Sequence, residues 1–183
     1  MAAALAAGAA LVNDVSALTH DPRAAEFVAQ AKCPVVLMHH SPKPAEGAPR
    51  DVLIEVYDWL EARIEAVVAA GIDRARIIVD PGLGAGSFGK RMRDNLALVN
   101  GLSLFHGLGC PILLGASRKT FIGAVGGAAP VERRLGGSVA MALLGAAQGV
   151  QLLRVHDAYE TVQAIRVWRG LRDQALTPLP FGV

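Results

Sequence analysis

The stretch Ile77-Ile78-Val79-Asp80-Pro81-Gly82-Leu83-Gly84 decides the fold, because it joins a short apolar run directly to a carboxylate and a glycine-rich turn. Consecutive apolar residues are typical of a parallel β-strand that is covered on both faces. Four further apolar runs, each followed by polar or glycine-containing sequence, occur at residues 10–12, 35–38, 112–114 and 151–155. This recurrence predicts five parallel strands whose polar ends gather at one edge of a sheet.

Segments with helical spacing lie between the predicted strands. From Asp51 to Gly71, apolar residues recur at the i, i+3, i+4, i+7 positions, with Asp51 as a predicted N-cap and Gly71 as a stop. Asp157 and Glu160 resemble a capping box that opens a helix running through Trp168. Weaker patterns predict helices over residues 22–32, 94–108 and 131–149.

Alternating strands and helices are compatible with a doubly wound sheet or with a (β/α)8 TIM barrel. The barrel is favoured because polar residues end every strand, as in barrels whose site collects the carboxyl ends of the strands. A barrel needs eight strands and about 250 residues, whereas this chain has 183 residues. We therefore expect an α/β fold with a single domain over residues 1–183, a partial barrel that comprises about the last five βα units and lacks the first three. The inward residues of such a sheet are expected to face water, and its unpaired edges to favour association, for example as a homodimer.

Composition limits the classes of partner. The chain has 18 basic and 16 acidic residues, and this balance gives no long-range attraction for nucleic acid or an anionic membrane. The longest apolar stretch, residues 139–153, is shorter than the roughly 20 residues of a membrane span, and the alanine-rich start lacks the basic segment of a signal peptide. Cys33 and Cys110 each precede a proline and an apolar run. We expect buried cysteines and a reducing, cytoplasmic setting.

Three strand ends carry candidate functional side chains. Asp80 with its glycine-rich turn would let a flat ligand approach the backbone, although a helix-capping aspartate explains the same pattern. The segment Ser117-Arg118-Lys119 offers a hydroxyl and two cations to an anionic or hydrogen-bonding substrate, or is a solvated basic turn. Arg154 and His156 share one face of a predicted strand, where they would form an anion clamp that stabilises a departing phosphate.

Six groups of motifs occur in a fixed order along the chain. They are Asn13-Asp14-Val15-Ser16; Leu37-Met38-His39; Asp80-Pro81-Gly82 with Phe88-Gly89-Lys90 and Asn95; Gly115-Ala116-Ser117-Arg118-Lys119 with Phe121-Ile122-Gly123; Gly137-Ser138; and Arg154-Val155-His156-Asp157. In combination they resemble the C-terminal part of dihydropteroate synthase, a pterin-binding TIM-barrel family, over nearly the whole chain. The resemblance implies a folate-biosynthesis transferase that joins 7,8-dihydropterin-6-ylmethyl diphosphate to 4-aminobenzoate and releases pyrophosphate and dihydropteroate.

The resemblance also implies a role for each matching residue. The pterin would lie among side chains and backbone from four motifs: Asn13, Met38, Asp80, Gly115 and Lys119. 4-Aminobenzoate would contact Phe88 and Ser117, and the diphosphate would contact Arg154 and His156. The residues implied to act in catalysis are Lys119, Arg154 and His156.

The chain departs from the family in two places. The units that precede Asn13 in the family are absent, and with them the Asn that is linked to Mg²⁺, so the resemblance implies a Mg²⁺ cofactor with no ligand in this chain. Three extra residues separate Gly82 from Phe88, which weakens the match at Phe88. His20, His39 and His40 lack metal-ligand spacing, so loop or supporting roles are expected.

Two other functions stay open at this point. One is a catalytically inactive or weakly pterin-binding fragment of the same family, because a first half-site is missing. The other is a methyltransferase that binds methyltetrahydrofolate in a similar barrel. The segment 117–119 together with Arg154 and His156 argues against the methyltransferase, since a methyl donor has no diphosphate to bind.

Overall fold

The computed structural model describes residues 1–41, 51–84 and 87–174. Each of the five predicted apolar runs contributes a strand in these ranges. The strands are β1 (Val12–Asp14), β2 (Val35–Met38), β3 (Ile77–Asp80), β4 (Leu113–Leu114) and β5 (Leu152–Leu153). The predicted strand over residues 151–155 is therefore too long, since β5 ends at Leu153.

The strands follow one another across the sheet in chain order. β1, β2 and β3 pair in parallel, with Val12 opposite Val35 and Val35 opposite Ile77. β4 and β5 pair in parallel as a second group, and a parallel bridge between Val79 and Ile112 joins the two groups. A doubly wound sheet reverses its strand order, so this sequential order is that of part of a (β/α) barrel, as predicted.

Helices separate successive strands along the described chain. The α-helices are α1 (Ala2–Ala6), α2 (Ala24–Ala31), α3 (Val52–Ala69), α4 (Met92–Asn100), α5 (Thr120–Val125), α6 (Leu135–Ala147) and α7 (Ala158–Asp173). Short 3-10 helices cover Arg74–Arg76, Leu102–Leu108 and Val131–Arg133. The predicted N-cap of α3 is confirmed, because the Asp51 carboxylate accepts hydrogen bonds from Leu53 N at 3.0 Å and Ile54 N at 3.3 Å.

Three details of the helix prediction are wrong. The predicted helix over 94–108 divides at Gly101, and the one over 131–149 divides at Arg134. The predicted capping box of α7 does not form, because the Asp157 side chain makes no cap hydrogen bond. Its carboxylate instead accepts hydrogen bonds from the guanidinium of Arg118, which lies in the turn after β4. A charged partner therefore competes successfully with the helix terminus.

Alternate strand residues face two different apolar clusters. The larger cluster packs the outer face of the sheet against the helices and includes Val35, Leu37, Ile77, Val79, Ile112 and Leu114. Helix α3 contributes a single stripe to it, formed by Val52, Val56, Leu60, Ile64 and Val67. This is the face that the i, i+3, i+4, i+7 pattern predicts.

The inner face of the sheet carries the smaller cluster. Val36, Ile78 and Leu113 are only 0%, 8% and 6% exposed, respectively, and Leu11 and Leu152 pack against them. The expectation that inward side chains face water is therefore wrong for these three. Neighbouring strands lie about 4.8 Å apart, so large side chains on adjacent strands shield one another.

Both cysteines are free thiols. Cys110 is buried, as predicted, whereas Cys33 is only half-buried in the turn that precedes β2. In the described ranges, no helix combines the length and the apolar character needed to cross a membrane.

Candidate functional site

A buried carboxylate lies at the carboxyl end of β3. Asp80 is 4% exposed, and its Oδ1 accepts a hydrogen bond from Gly82 N at 2.8 Å. Gly82 has φ +71°, and a Cβ at this position would lie 2.2 Å from the carbonyl oxygen of His39. Only glycine fits such a turn. The turn therefore holds the carboxylate at the sheet edge, beside the end of β2, where His39 N donates to Asp80 O at 2.8 Å.

Cations surround this carboxylate. Burial raises the pKa of Asp80, while Gly82 N–H and the positive charges of Lys119, Arg154 and Lys90 act in the opposite direction. Burial also lowers the pKa of Lys119, Asp80 opposes that shift, and Arg154 reinforces it. A buried carboxylate near several cations suits a ligand that donates N–H groups to it and carries negative charge close by.

Lys119 reaches across the site from the turn after β4. Its Nζ donates a hydrogen bond to the carbonyl oxygen of Leu83 and lies 5.9 Å from the centroid of the Phe88 ring. Phe88 is half-buried with φ +54°, and Lys90 Nζ donates to its carbonyl oxygen at 3.2 Å. The glycine-rich segment and the lysine thus form one wall of the site, although residues 85–86 of the predicted insertion lie outside the described residues.

Buried polar side chains behind this wall support it, and the motif pattern predicts no role for them. Lys90 is 2% exposed, and its Nζ lies 2.5 Å from Nδ1 of the buried His39. Asn95 is fully buried; its Oδ1 accepts from Gly84 N at 2.7 Å, and its Nδ2 donates to Arg91 O at 2.9 Å. Only the spacing of a lysine and an asparagine after the Asp80 turn could have signalled this support.

Arg154 lies across the backbone of β4. A Cβ on Gly115 would lie 2.9 Å from its Nη2 atom and 3.4 Å from its Nε atom. Gly115 therefore leaves the space that the guanidinium occupies. Arg154 itself is exposed, so its charge is available to a ligand.

His156 contacts Ser117, at the same edge of the sheet as Arg154. Its backbone N donates to Ser117 Oγ at 3.2 Å, and its ring Nδ1 lies 3.1 Å from the same oxygen. Ser117 is 6% exposed, whereas His156 is exposed. The expectation that Arg154 and His156 share a strand face is wrong, because β5 has already ended at Leu153. They nevertheless lie at the same sheet edge, Arg154 against Gly115 and His156 against Ser117.

The remaining predicted residues lie on the inner face of the first two strands. Met38 is 5% exposed and stands opposite Asp80 in the strand register. Asn13, on β1, stands opposite Val36 of β2 and is exposed. Met38 thus belongs to the Asp80 end of the sheet, while Asn13 lies on the flank of the same inner face.

The described residues contain no ready-made metal-binding cluster. No group of three or more His, Cys, Asp or Glu side chains in the described ranges is placed to hold a metal ion. The buried carboxylate of the site faces Lys119, Arg154 and Lys90, whereas Mg²⁺ prefers carboxylates and water.

Parallel strands in chain order, with a buried carboxylate and cationic side chains at their carboxyl ends, define a (β/α)-barrel protein with a cluster of charged side chains at the end where such barrels bind ligands. The family model described as "pterin binding enzyme" matches residues 1–156. The chain therefore belongs to the pterin-binding enzyme family.

Similar proteins carry a more specific name. The dihydropteroate synthase of Bacillus subtilis is 40% identical over 171 residues, which cover 93% of this chain and 58% of that protein. A dihydropteroate synthase from Xanthomonas albilineans in complex with 7,8-dihydropteroate has a TM-score of 0.86 and 45% identity, covering 96% of this chain and 63% of that one. The X. albilineans enzyme with 4-aminobenzoic acid has a TM-score of 0.85 and 47% sequence identity, and the match covers 97% of this chain and 64% of that one. The chain spans about three fifths of the length of these relatives.

Proposed function

We propose that this chain acts in dihydropteroate synthesis. It would join 7,8-dihydropterin-6-ylmethyl diphosphate to 4-aminobenzoate, with release of pyrophosphate. The observation that carries the proposal is the buried Asp80 carboxylate faced by Lys119 and Arg154 at the strand ends. The similar X. albilineans structures contain 7,8-dihydropteroate and 4-aminobenzoic acid, which are the product and one substrate of this reaction.

The pterin would bind on the inner face at the end of β3. An ionised Asp80 accepts hydrogen bonds from the N–H groups of the amino-pyrimidine edge, and charge-assisted bonds of this kind are about twice as strong as neutral ones. The nearby Lys119 charge helps to keep the carboxylate ionised despite its burial. Met38 lines the pocket beside Asp80, Asn13 adds a side-chain amide, and Gly115 leaves the backbone open to the ligand.

Bond formation needs little from the protein beyond alignment and charge. The amine nitrogen of 4-aminobenzoate attacks the methylene carbon of the pterin, the carbon–oxygen bond breaks, and its electron pair leaves with pyrophosphate. The amine proton is then lost to solvent. Arg154 and His156 stabilise the negative charge that grows on the leaving group. Phe88 and Ser117 hold the attacking substrate, and Lys119 lies between it and the pterin.

The proposal extends to the setting of the reaction. The partners are the two small-molecule substrates, the whole chain acts as one domain over residues 1–183, and the free cysteines suit a cytoplasmic location. A homodimer would shield the sheet edges. Mg²⁺ is assigned no binding residue, because no described cluster fits it.

The test measures dihydropteroate formation by the purified chain, alone and mixed with the N-terminal barrel units of the B. subtilis enzyme. Turnover is expected in at least one of these two conditions. Asp80→Asn should lower the turnover rate by at least about 100-fold. Arg133→Gln serves as the control, since Arg133 is exposed and lies outside the site. Pterin binding without turnover would support the inactive fragment, and demethylation of methyltetrahydrofolate would support the methyltransferase. Absence of both binding and turnover would refute the proposal.

A further inference from the structure

The turn after β4 contains a residue in a conformation that L-amino acids avoid. Arg118 has φ +57°, in the left-handed region, where the side chain of a non-glycine residue crowds the backbone. Its two neighbours serve different parts of the site: Ser117 contacts His156, whereas Lys119 reaches Leu83. With position 118 in this conformation, the two adjacent side chains diverge.

Two residues of the α6 N-terminus hold the backbone of Arg118 from both sides. Ser138 Oγ accepts a hydrogen bond from Arg118 N at 2.9 Å and donates to Arg134 O at 2.7 Å. Arg134 Nη1 donates to Arg118 O at 3.0 Å, and its Nε donates to Ala129 O at 2.9 Å. Ser138 is 3% exposed, so water cannot easily replace its hydroxyl. We call Arg134 and Ser138 the Arg118 clamp.

The Arg118 side chain adds a third connection. Its Nε donates to Asp157 Oδ2 at 3.0 Å, and its Nη2 donates to Oδ1 of the same carboxylate. Asp157 directly follows His156, so the turn after β4 and the segment after β5 are tied together. Because two N–H groups of the guanidinium bond the two oxygens of the carboxylate, the pair fixes the orientation of Arg118 relative to Asp157 as well as the distance between them.

We propose that Arg134 and Ser138 are positioning residues, which hold Arg118 in its left-handed conformation and so fix Lys119 near Asp80 and Ser117 against His156. The significance of this placement for catalysis rests on the proposed function, but the placement itself does not. Neither residue needs to touch a substrate. Both would act through the backbone of the turn.

A purely structural role would leave a different signature. Arg134 also packs against α5, where a Cβ on Gly123 would lie 2.6 Å from its Nε. If the clamp only joined α5 to α6, its loss would lower the melting temperature and leave the surroundings of Lys119 unchanged. The titration of Lys119 therefore separates the two roles, because burial and the charges of Asp80 and Arg154 set its pKa.

The experiment compares the purified chain with Ser138→Ala, Arg134→Gln and Arg134→Lys. The last of these is milder, because lysine keeps the positive charge but lacks the planar guanidinium with its several N–H donors. Each protein is acetylated briefly with acetic anhydride over a range of pH, and modification of Lys119 is followed by mass spectrometry. The exposed Lys32 serves as the internal reference, and Arg133→Gln is the matched control. In the parent and control proteins, Lys119 should titrate below the ordinary lysine pKa. In folded clamp variants the pKa of Lys119 should rise toward the ordinary lysine value.

The proposal is overturned if Lys119 titrates identically in parent and folded clamp variants. If Arg134→Gln and Ser138→Ala do not fold, Arg134→Lys decides the question by the same comparison. In any preparation with turnover, Ser138→Ala should raise the KM for 4-aminobenzoate about tenfold relative to Arg133→Gln. Lack of turnover by the parent protein, both alone and mixed with the N-terminal barrel units, would count only against the proposed function. The Lys119 titration would still report on the clamp.

Discussion

Replacing Gly115 by alanine should separate ligand binding from folding stability. The new Cβ would lie 2.9 Å from Arg154 Nη2, 3.4 Å from Nε and 3.5 Å from Cζ. The conflict is with the far end of a flexible, exposed side chain and not with backbone. We therefore expect the guanidinium to swing away from β4 while the sheet stays intact.

The size of the effect follows from this geometry. Ordinary van der Waals contact begins at 3.4 Å, so Nη2 must retreat by about 0.5 Å. A hydrogen bond to a charged group contributes about 1.5–3 kcal/mol. Misalignment that forfeits about half of it should weaken pyrophosphate binding roughly three- to twelvefold. Folding stability should change by less than about 1 kcal/mol, because alanine also reduces the entropy of the unfolded chain.

Isothermal titration with inorganic pyrophosphate measures the first effect, and urea unfolding measures the second. Gly170→Ala on α7 is the matched control, since a Cβ there meets nothing within 4 Å. Unchanged pyrophosphate affinity in Gly115→Ala would refute the role of Arg154 in binding the diphosphate. A loss of stability above about 2 kcal/mol would instead show that the guanidinium cannot move aside.

Three further substitutions test the framework of the site, each by urea unfolding. Gly82→Ala should lose more than about 2 kcal/mol, because it combines a left-handed backbone with a Cβ placed 2.2 Å from the His39 carbonyl oxygen; a smaller loss would contradict the fixed turn. Asn95→Ala should lose about 1–3 kcal/mol, because a buried backbone N–H loses its acceptor, and unchanged stability would contradict this. The Arg118 hydrogen bond lowers the pKa of Asp157, so the ion pair stabilises the fold above the ordinary carboxyl pKa and is lost as pH falls through the lowered value. Asp157→Asn should therefore be less stable than the parent chain at about pH 7 and match it in strong acid; a difference that persists in acid would refute the assignment.

The strands could be predicted because a parallel strand that is buried on both faces is apolar at every position. The predicted and observed bounds of β2 coincide at Val35–Met38. Helix α3 is long enough to show its apolar stripe, whereas α5 has only six residues, fewer than two turns, and gives no periodic signal. Burial of the inner face could not be predicted, since it depends on how side chains of separate strands shield one another.

The site could be predicted only as far as residue types at strand ends allow. That reasoning correctly places Asp80, Lys119 and Arg154 close together. It gives no hint of the left-handed turn at Arg118, because nothing in the local sequence distinguishes an arginine with positive φ from one without. The residues that hold this turn lie 16 and 20 positions further along the chain, beyond the reach of any local pattern.

The placement of the functional side chains depends on turns more than on strands. Left-handed residues follow strand ends at the site, among them Gly82, Phe88 and Arg118. Each is held by a polar contact: the Asp80 carboxylate binds Gly82 N, Lys90 binds Phe88 O, and Ser138 binds Arg118 N. The sheet brings the backbone to the edge, and these contacts then choose the direction of each side chain. A substitution that removes one of them should therefore disturb ligand binding before it disturbs the fold, because the apolar clusters on both faces of the sheet remain intact.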